Sequence, residues 1–239
     1  MPWVPSRRVL PLPPLFATEG GPTGPRTPPA SWGLDSVRDW PDGDLNLRIR
    51  TFGADAPSRL ETLCGSLSGA IVAGEISGVP ARELHWLRGP GPATTTLANR
   101  LGPVEGAHRV RVHLESPLDL KVDNVASSEP PTLALLATAI RRRAILLATA
   151  WGNPSGSPVR QPPLAVEPFV PARCKVRGVA IRRWSAHQGR AMYLRGIVGW
   201  LDYEPVNIEA MTWLRVGEIL GVGRHTTMGF GRIRVEAQR

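Results

Sequence analysis

The sequence predicts an α+β fold, and three observations carry the prediction. Short stretches alternate apolar and basic residues with the two-residue period of half-buried strands. Longer stretches repeat Leu and Ile every three or four residues, as helices packed along one side do. From residue 108 onward these stretches fall in the order strand, helix, strand, strand, helix, strand, the split βαβ plan of a ferredoxin-like domain. At 239 residues the chain has room for two compact halves.

The first half is the harder to read. Residues 13–31 are rich in Pro, Gly and Thr and predict an extended loop. Residues 45–52 alternate Leu45, Leu47 and Ile49 with Asn46, Arg48 and Arg50, a strand with a basic outer face. Residues 57–73 predict a helix, because Leu60, Leu63, Leu67 and Ile71 share one side. Two short helices, 81–87 and 94–101, flank the turn Gly89-Pro90-Gly91-Pro92 and would form an inserted finger over about 81–101. Within the finger, Trp86 between Arg82 and Arg88 offers a stacking surface with charge beside it. These elements suffice for a degenerate copy of the plan that follows, which sets the division at 1–104 and 105–239.

In the second half, residues 108–115 alternate Val110, Val112 and Leu114 with Arg109, Arg111 and His113, so a strand is expected. Residues 131–151 open with a proline, suited to a first helical turn, and carry Leu133, Leu136, Ile140 and Leu147 along one side. Strands over 175–184 and 192–203 are joined by a polar connection containing Ser185, Ala186, His187 and Gln188. A helix over 207–219 and a strand over 230–236, with Ile233 and Val235 inward and Arg232 and Arg234 outward, complete the domain.

The net charge is +9, and Lys121 and Lys175 are the only lysines, so arginine supplies nearly all of the positive charge. Its planar fork grips phosphate through two hydrogen bonds and stacks on bases, which points to a polyanion such as nucleic acid. Cys64 and Cys174 stand far apart with no paired spacing, so they read as core thiols in a reducing, cytoplasmic setting, not as a zinc site or a disulfide framework. The most apolar run, 132–140, meets Arg141, Arg142 and Arg143 after nine residues, too short to span a membrane.

Residues 221–232, GVGRHTTMGFGR, place four glycines within eleven positions between the last helix and the last strand. A phosphate-binding P-loop would need a Gly-Lys-Ser/Thr ending, and a dinucleotide fingerprint would follow a strand, so a nucleotide cofactor is not expected. A backbone cradle for polymer phosphates fits better. Glycines 221, 223, 229 and 231 would admit a sugar-phosphate chain to free N–H groups, with Arg224 and Arg232 adding charge.

The segment GVGRHTTMGFGRIRV resembles the C-terminal glycine-rich motif of the RAMP superfamily, the repeat-associated proteins of CRISPR systems, and in particular its repeat-RNA-processing endoribonucleases. RVHLESPLDLK, the helix with its arginine triplet, and RRWSAHQGRAMYLRGIVGWLDYE extend the resemblance over roughly 104–237. It implies two tandem ferredoxin-like (RAMP/RRM-like) domains that bind the stem-loop of a CRISPR repeat and cut it once without a metal. The adjacent 2′-hydroxyl attacks the phosphate, and the protein retains the 3′ stem-loop as a subunit of an effector complex. Many members place a histidine base in the first domain, but here the earliest histidine is His85. That departure suggests a divergent branch such as type IV.

Two alternatives follow for catalysis: either His187 or His225 supplies proton transfer, or the site is built from arginines, with Arg26 and Arg38 the first choices, able to stabilise a phosphorane though not to act as bases. The candidates for RNA binding are Gly221, Gly223, Arg224, Gly229, Gly231, Arg232, Arg142, Arg143, Lys121, Lys175 and Arg183. The same loop and charge would equally serve a non-catalytic RAMP subunit that caps guide RNA without cutting it. An unrelated RNA-binding domain of the RRM type would show a paired aromatic signature on its strands, which this chain lacks.

Overall fold

The computed structural model describes residues 32–37, 46–53, 55–72, 97–122, 125–126, 129–151, 164–185 and 190–238. Strands β1 (Trp32–Val37) and β2 (Asn46–Thr51) form an antiparallel hairpin, followed by α1 (Ala56–Val72) and the short α2 (Leu97–Leu101). Next come β3 (Arg109–Leu118), a two-residue pair β4 (Lys121–Val122) and β5 (Val125–Ala126), and α3 (Leu133–Trp151). The long strands β6 (Arg173–Ser185) and β7 (Arg190–Tyr203), helix α4 (Ile208–Leu220) and β8 (Ile233–Gln238) close the chain.

Four of these strands make one antiparallel sheet in the order β6-β7-β3-β8. With α3 after β3 and α4 after β7, this is the split βαβ plan that the second half predicted. Alternation on β3 sends Val110, Val112 and Leu114 to one face, where Leu201, Tyr203, Ile233 and Val235 join them beneath Leu136 and Ile140 of α3 and Leu214 of α4. The Tyr203 hydroxyl is buried there and donates to the Pro131 carbonyl at 2.7 Å.

Local chemistry sets the ends of α4. Asn207 caps its start, accepting from Ala210 N at 2.8 Å. At its other end, Arg143 Nε donates to the Leu220 carbonyl at 2.8 Å, and Arg50 Nη1 donates to the carbonyls of Glu218 and Ile219. Two cations from separate parts of the chain thus cover the last carbonyls, where the helix dipole favours positive charge. Glu218 and Arg215 in turn cover the edge of β8, taking the Val235 N–H at 2.5 Å and its carbonyl at 3.1 Å. The opposite edge of the sheet is β6.

Several expectations change. Trp32–Val37 is a strand in a stretch where the sequence predicted no element. Trp32 and Leu34 alternate with Gly33 and Asp35 for four residues only, before Ser36 and Val37 reverse the pattern, and the strand exists by pairing with β2. Cys174 is exposed on the edge strand β6, not a core thiol, while Cys64 is half-buried. Of the proposed finger, only 97–101 is described, as α2; residues 81–87 lie outside the described residues.

Candidate nucleic-acid interface

The glycine-rich segment leaves α4 at Gly221 and winds back on the end of β3. Gly221 N donates to Gly217 O at 2.8 Å, Val222 N to Gly231 O at 2.8 Å, Arg224 N to Asp119 O at 3.0 Å and Gly231 N to Pro117 O at 2.9 Å. Met228, Gly229 and Phe230 donate to carbonyls within the loop, and Arg232 N to the Ser116 hydroxyl at 2.8 Å. Most loop amides are therefore engaged inside the protein, which corrects the expected cradle of free N–H groups. Gly223 and Gly231 serve close backbone approach: an added Cβ would stand 2.4 Å from Asp119 O at the first and 1.8 Å from Val222 O at the second. Whatever the loop offers a polyanion comes mainly from its side chains.

Those side chains converge on Asp119, a carboxylate only 5% exposed just beyond β3. Its Oδ2 lies 3.2 Å from His225 Nε2 and 3.5 Å from Arg224 Nη1. The His225 backbone is left-handed at φ 59, and its ring meets Phe230 edge-on at 5.8 Å. Strand β1 runs against the turn Thr226–Met228, so the first half of the chain borders the loop.

The open face of the sheet is charge-balanced, not basic. Arg111 forks onto Asp202 at 2.7 and 2.8 Å and lies 4.1 Å over the Trp200 ring. Arg109 holds Glu204 at 2.6 Å with His108 on the other oxygen, His113 holds Glu236 at 3.0 Å, and Arg232 holds Glu115 at 2.6 Å. The hydrogen bonds from Arg111, Arg109 and His113 hold the carboxyls of Asp202, Glu204 and Glu236, respectively, below the usual carboxylate range. Uncompensated charge lies instead on the β6–β7 ribbon. Lys175, Arg177, Arg182 and Arg195 are exposed there without an ion-pair partner among the described residues. Arg182 stands in register with Tyr193, which is 61% exposed, giving an aromatic surface beside a cation.

The structure sorts the candidates accordingly. It brings Gly221, Gly223, Arg224, His225, Gly229, Gly231 and Arg232 into one loop beside Asp119, with Lys121 exposed two residues beyond it in β4. Lys175 and Arg183 belong to the β6–β7 ribbon. Arg142 is exposed on α3, but Arg143 is buried against α4, and burial together with the nearby Arg50 holds its guanidinium down to about 10. A buried cap is not available to a polymer, so Arg143 leaves the set of RNA contacts. Arg26, Arg38 and His187 lie outside the described residues. Asp119 and Arg50 escape sequence reasoning because their partners stand more than a hundred residues away. Among the described residues, no three of His, Cys, Asp and Glu converge as metal ligands would.

A ferredoxin-like domain with helices on one face, a glycine-rich loop closing it and a basic ribbon at one edge defines a nucleic-acid-binding class. The sequence profile of the CRISPR-associated endoribonuclease Cas6 family matches residues 112–233, just over half of the chain, and the chain belongs to that family. Among solved structures, the Cas6 TTHA0078 product complex is similar at 20% identity and a TM-score of 0.53, over 87% of this chain and 83% of that one. The product complex of Thermus thermophilus Cas6 TTHB231 is similar at 17% identity and a TM-score of 0.52, over 89% and 84%. Both likenesses concern the fold. A search of curated proteins finds no matching sequence.

Proposed function

We propose that this chain cuts CRISPR repeat RNA once, without a metal, and retains the 3′ stem-loop as part of an effector complex. The observation that carries the reading is the His225, Arg224 and Asp119 cluster in a loop matched by the Cas6 profile, bordered by the strand that leads to Arg38. The 2′-oxygen forms a bond to the adjacent phosphorus as the bond to the 5′-oxygen breaks, leaving a cyclic phosphate and a 5′-hydroxyl. Either His225 or His187 supplies the proton transfer, while Arg26 and Arg38 stabilise charge on the phosphorane. The two-domain division near residue 104 puts Arg26 and Arg38 in the first domain and the loop in the second, so cleavage uses both.

The β6–β7 ribbon holds the stem: Lys175, Arg177, Arg182 and Arg195 supply phosphate contacts beside Tyr193. Other effector subunits are the expected partners of the retained complex. The test is single-turnover cleavage of repeat RNA by the intact protein and by Arg26→Ala, Arg38→Ala, His187→Ala and His225→Ala. Loss of rate with retained binding in at least one of them supports the reading; equal rates in all four refute the assignment of these groups.

A second reading, a RAMP subunit that caps guide RNA without cutting, draws on the lack of any histidine ahead of His85. The same departure motivates placing the chain in a divergent branch such as type IV.

A further inference from the structure

We propose that Asp119 is the positioning residue of His225, fixing its imidazole with Nε2–H on the carboxylate so that Nδ1 exchanges the proton with RNA. The inference rests on the reading of His225 as an acid–base group and goes beyond it by naming the residue that makes it one.

Three observations carry it. First, the Asp119 side chain is 6% exposed yet touches two loop side chains through one oxygen, Oδ2, at 3.2 Å to His225 and 3.5 Å to Arg224. Burying a carboxylate is unfavourable unless it is paired, so the histidine contact is part of what holds the charge there. Second, the loop does not need this side chain for anchorage. Arg224 N binds the Asp119 main-chain carbonyl at 3.0 Å, and Gly231 N binds Pro117 O at 2.9 Å. Third, His225 is the one non-glycine residue with positive φ among the described residues. That conformation costs about 1–2 kcal/mol for a side-chain-bearing residue, and such strain gathers where surroundings fix a side chain for a task. Phe230, edge-on at 5.8 Å, bounds the ring on another side.

In this arrangement the carboxylate stabilises the imidazolium and sets its orientation, as a buried acid does for a catalytic histidine. During cleavage the 2′-oxygen bonds to phosphorus, its proton passes to water, the bond to the 5′-oxygen breaks, and His225 gives that oxygen a proton from Nδ1. Water then returns a proton to the ring.

The experiment measures single-turnover cleavage and RNA affinity on the full chain for Asp119→Asn, Asp119→Ala, Asp119→Glu, His225→Ala and the double Asp119→Ala/His225→Ala. Positioning predicts that the Asn and Ala variants lose at least about tenfold in rate while affinity stays within about twofold, with partial rescue by Glu. It also predicts a double variant no slower than His225→Ala alone, the non-additivity of residues acting as a unit. Asp119→Ala cleaving at the wild-type rate overturns the proposal. So does a loss of rate matched by a loss of affinity, which a purely structural role would give, or effects of the two substitutions that multiply. Should Asp119→Ala fail to fold, the imidazole nitrogen shifts of His225 in the unaltered protein decide: an Nε2–H ring supports the proposal, and a ring protonated at Nδ1 alone overturns it. An unaltered protein that binds without cutting removes the endoribonuclease reading and this inference with it, an outcome distinct from cutting that ignores Asp119.

Discussion

Replacing Gly231 by alanine tests how the glycine-rich loop is built. Gly231 has φ +73, and an added Cβ would lie 1.8 Å from Val222 O and 2.9 Å from Val222 C, far inside ordinary contact. Relief requires the two backbone segments to part, which breaks the bonds from Val222 N to Gly231 O and from Gly231 N to Pro117 O, both in a buried stretch. The left-handed strain costs about 1–2 kcal/mol, and each buried hydrogen-bonding group left unpaired costs about 1–3 kcal/mol, so the total is at least about 3 kcal/mol. Gly102 provides the control. It too has positive φ, +60, but its Cβ would meet nothing within 4 Å. Alanine there costs only the strain, about 1 kcal/mol. Urea unfolding followed by the fluorescence of the tryptophans gives both values. By melting temperature, Gly231→Ala should fall by roughly 6–12 °C and Gly102→Ala by about 2–4 °C. Equal costs at the two positions would refute the close-approach account and leave backbone angle as the only role of Gly231.

Truncating Leu214, fully buried under the sheet, to alanine should cost about 2–5 kcal/mol in the same unfolding assay. Arg143→Met should leave RNA affinity within about twofold, whereas Arg142→Glu, at an exposed site on the same helix, should weaken it, as read by filter binding. Substituting Lys175 and Arg177 together by alanine should reduce the slope of log affinity against log salt by about 0.7–0.9 for each phosphate that is no longer neutralised. Because Asp202, Glu204 and Glu236 have depressed carboxyl pKa values in the folded state, their contribution is present above the unfolded-state values and is lost as pH falls through the folded ones. Melting temperature should therefore hold from about pH 5 upward and decline below about pH 4, less steeply in Asp202→Asn.

The second half of the chain was legible because each element buries one side and shows its period. The predicted strand at 175–184 and helix at 207–219 lie within a residue or two of β6 and α4. Strand β1 was not legible, since its alternation lasts only from Trp32 to Asp35 and it acquires strand form by pairing with β2. Charge was misread for a related reason. Arg109, Arg111, Arg232 and Arg234 look like a basic face in one dimension, but Asp202 and Glu204 at the end of β7 neutralise the first two and Glu115 of β3 the last two. The loop motif was visible as a motif, yet its dependence on Asp119 was not, because a single aspartate between two leucines has no signal until the fold places it under His225.

Cleavage of repeat RNA by the purified protein in EDTA, comparing an all-ribose repeat with one bearing a 2′-deoxy sugar at the cut site, tests the central claim most directly. The account predicts that the first is cut once, leaving a cyclic phosphate, and that the second is bound with similar affinity and remains whole. Tight binding with neither RNA cut, or cutting of both, would contradict it.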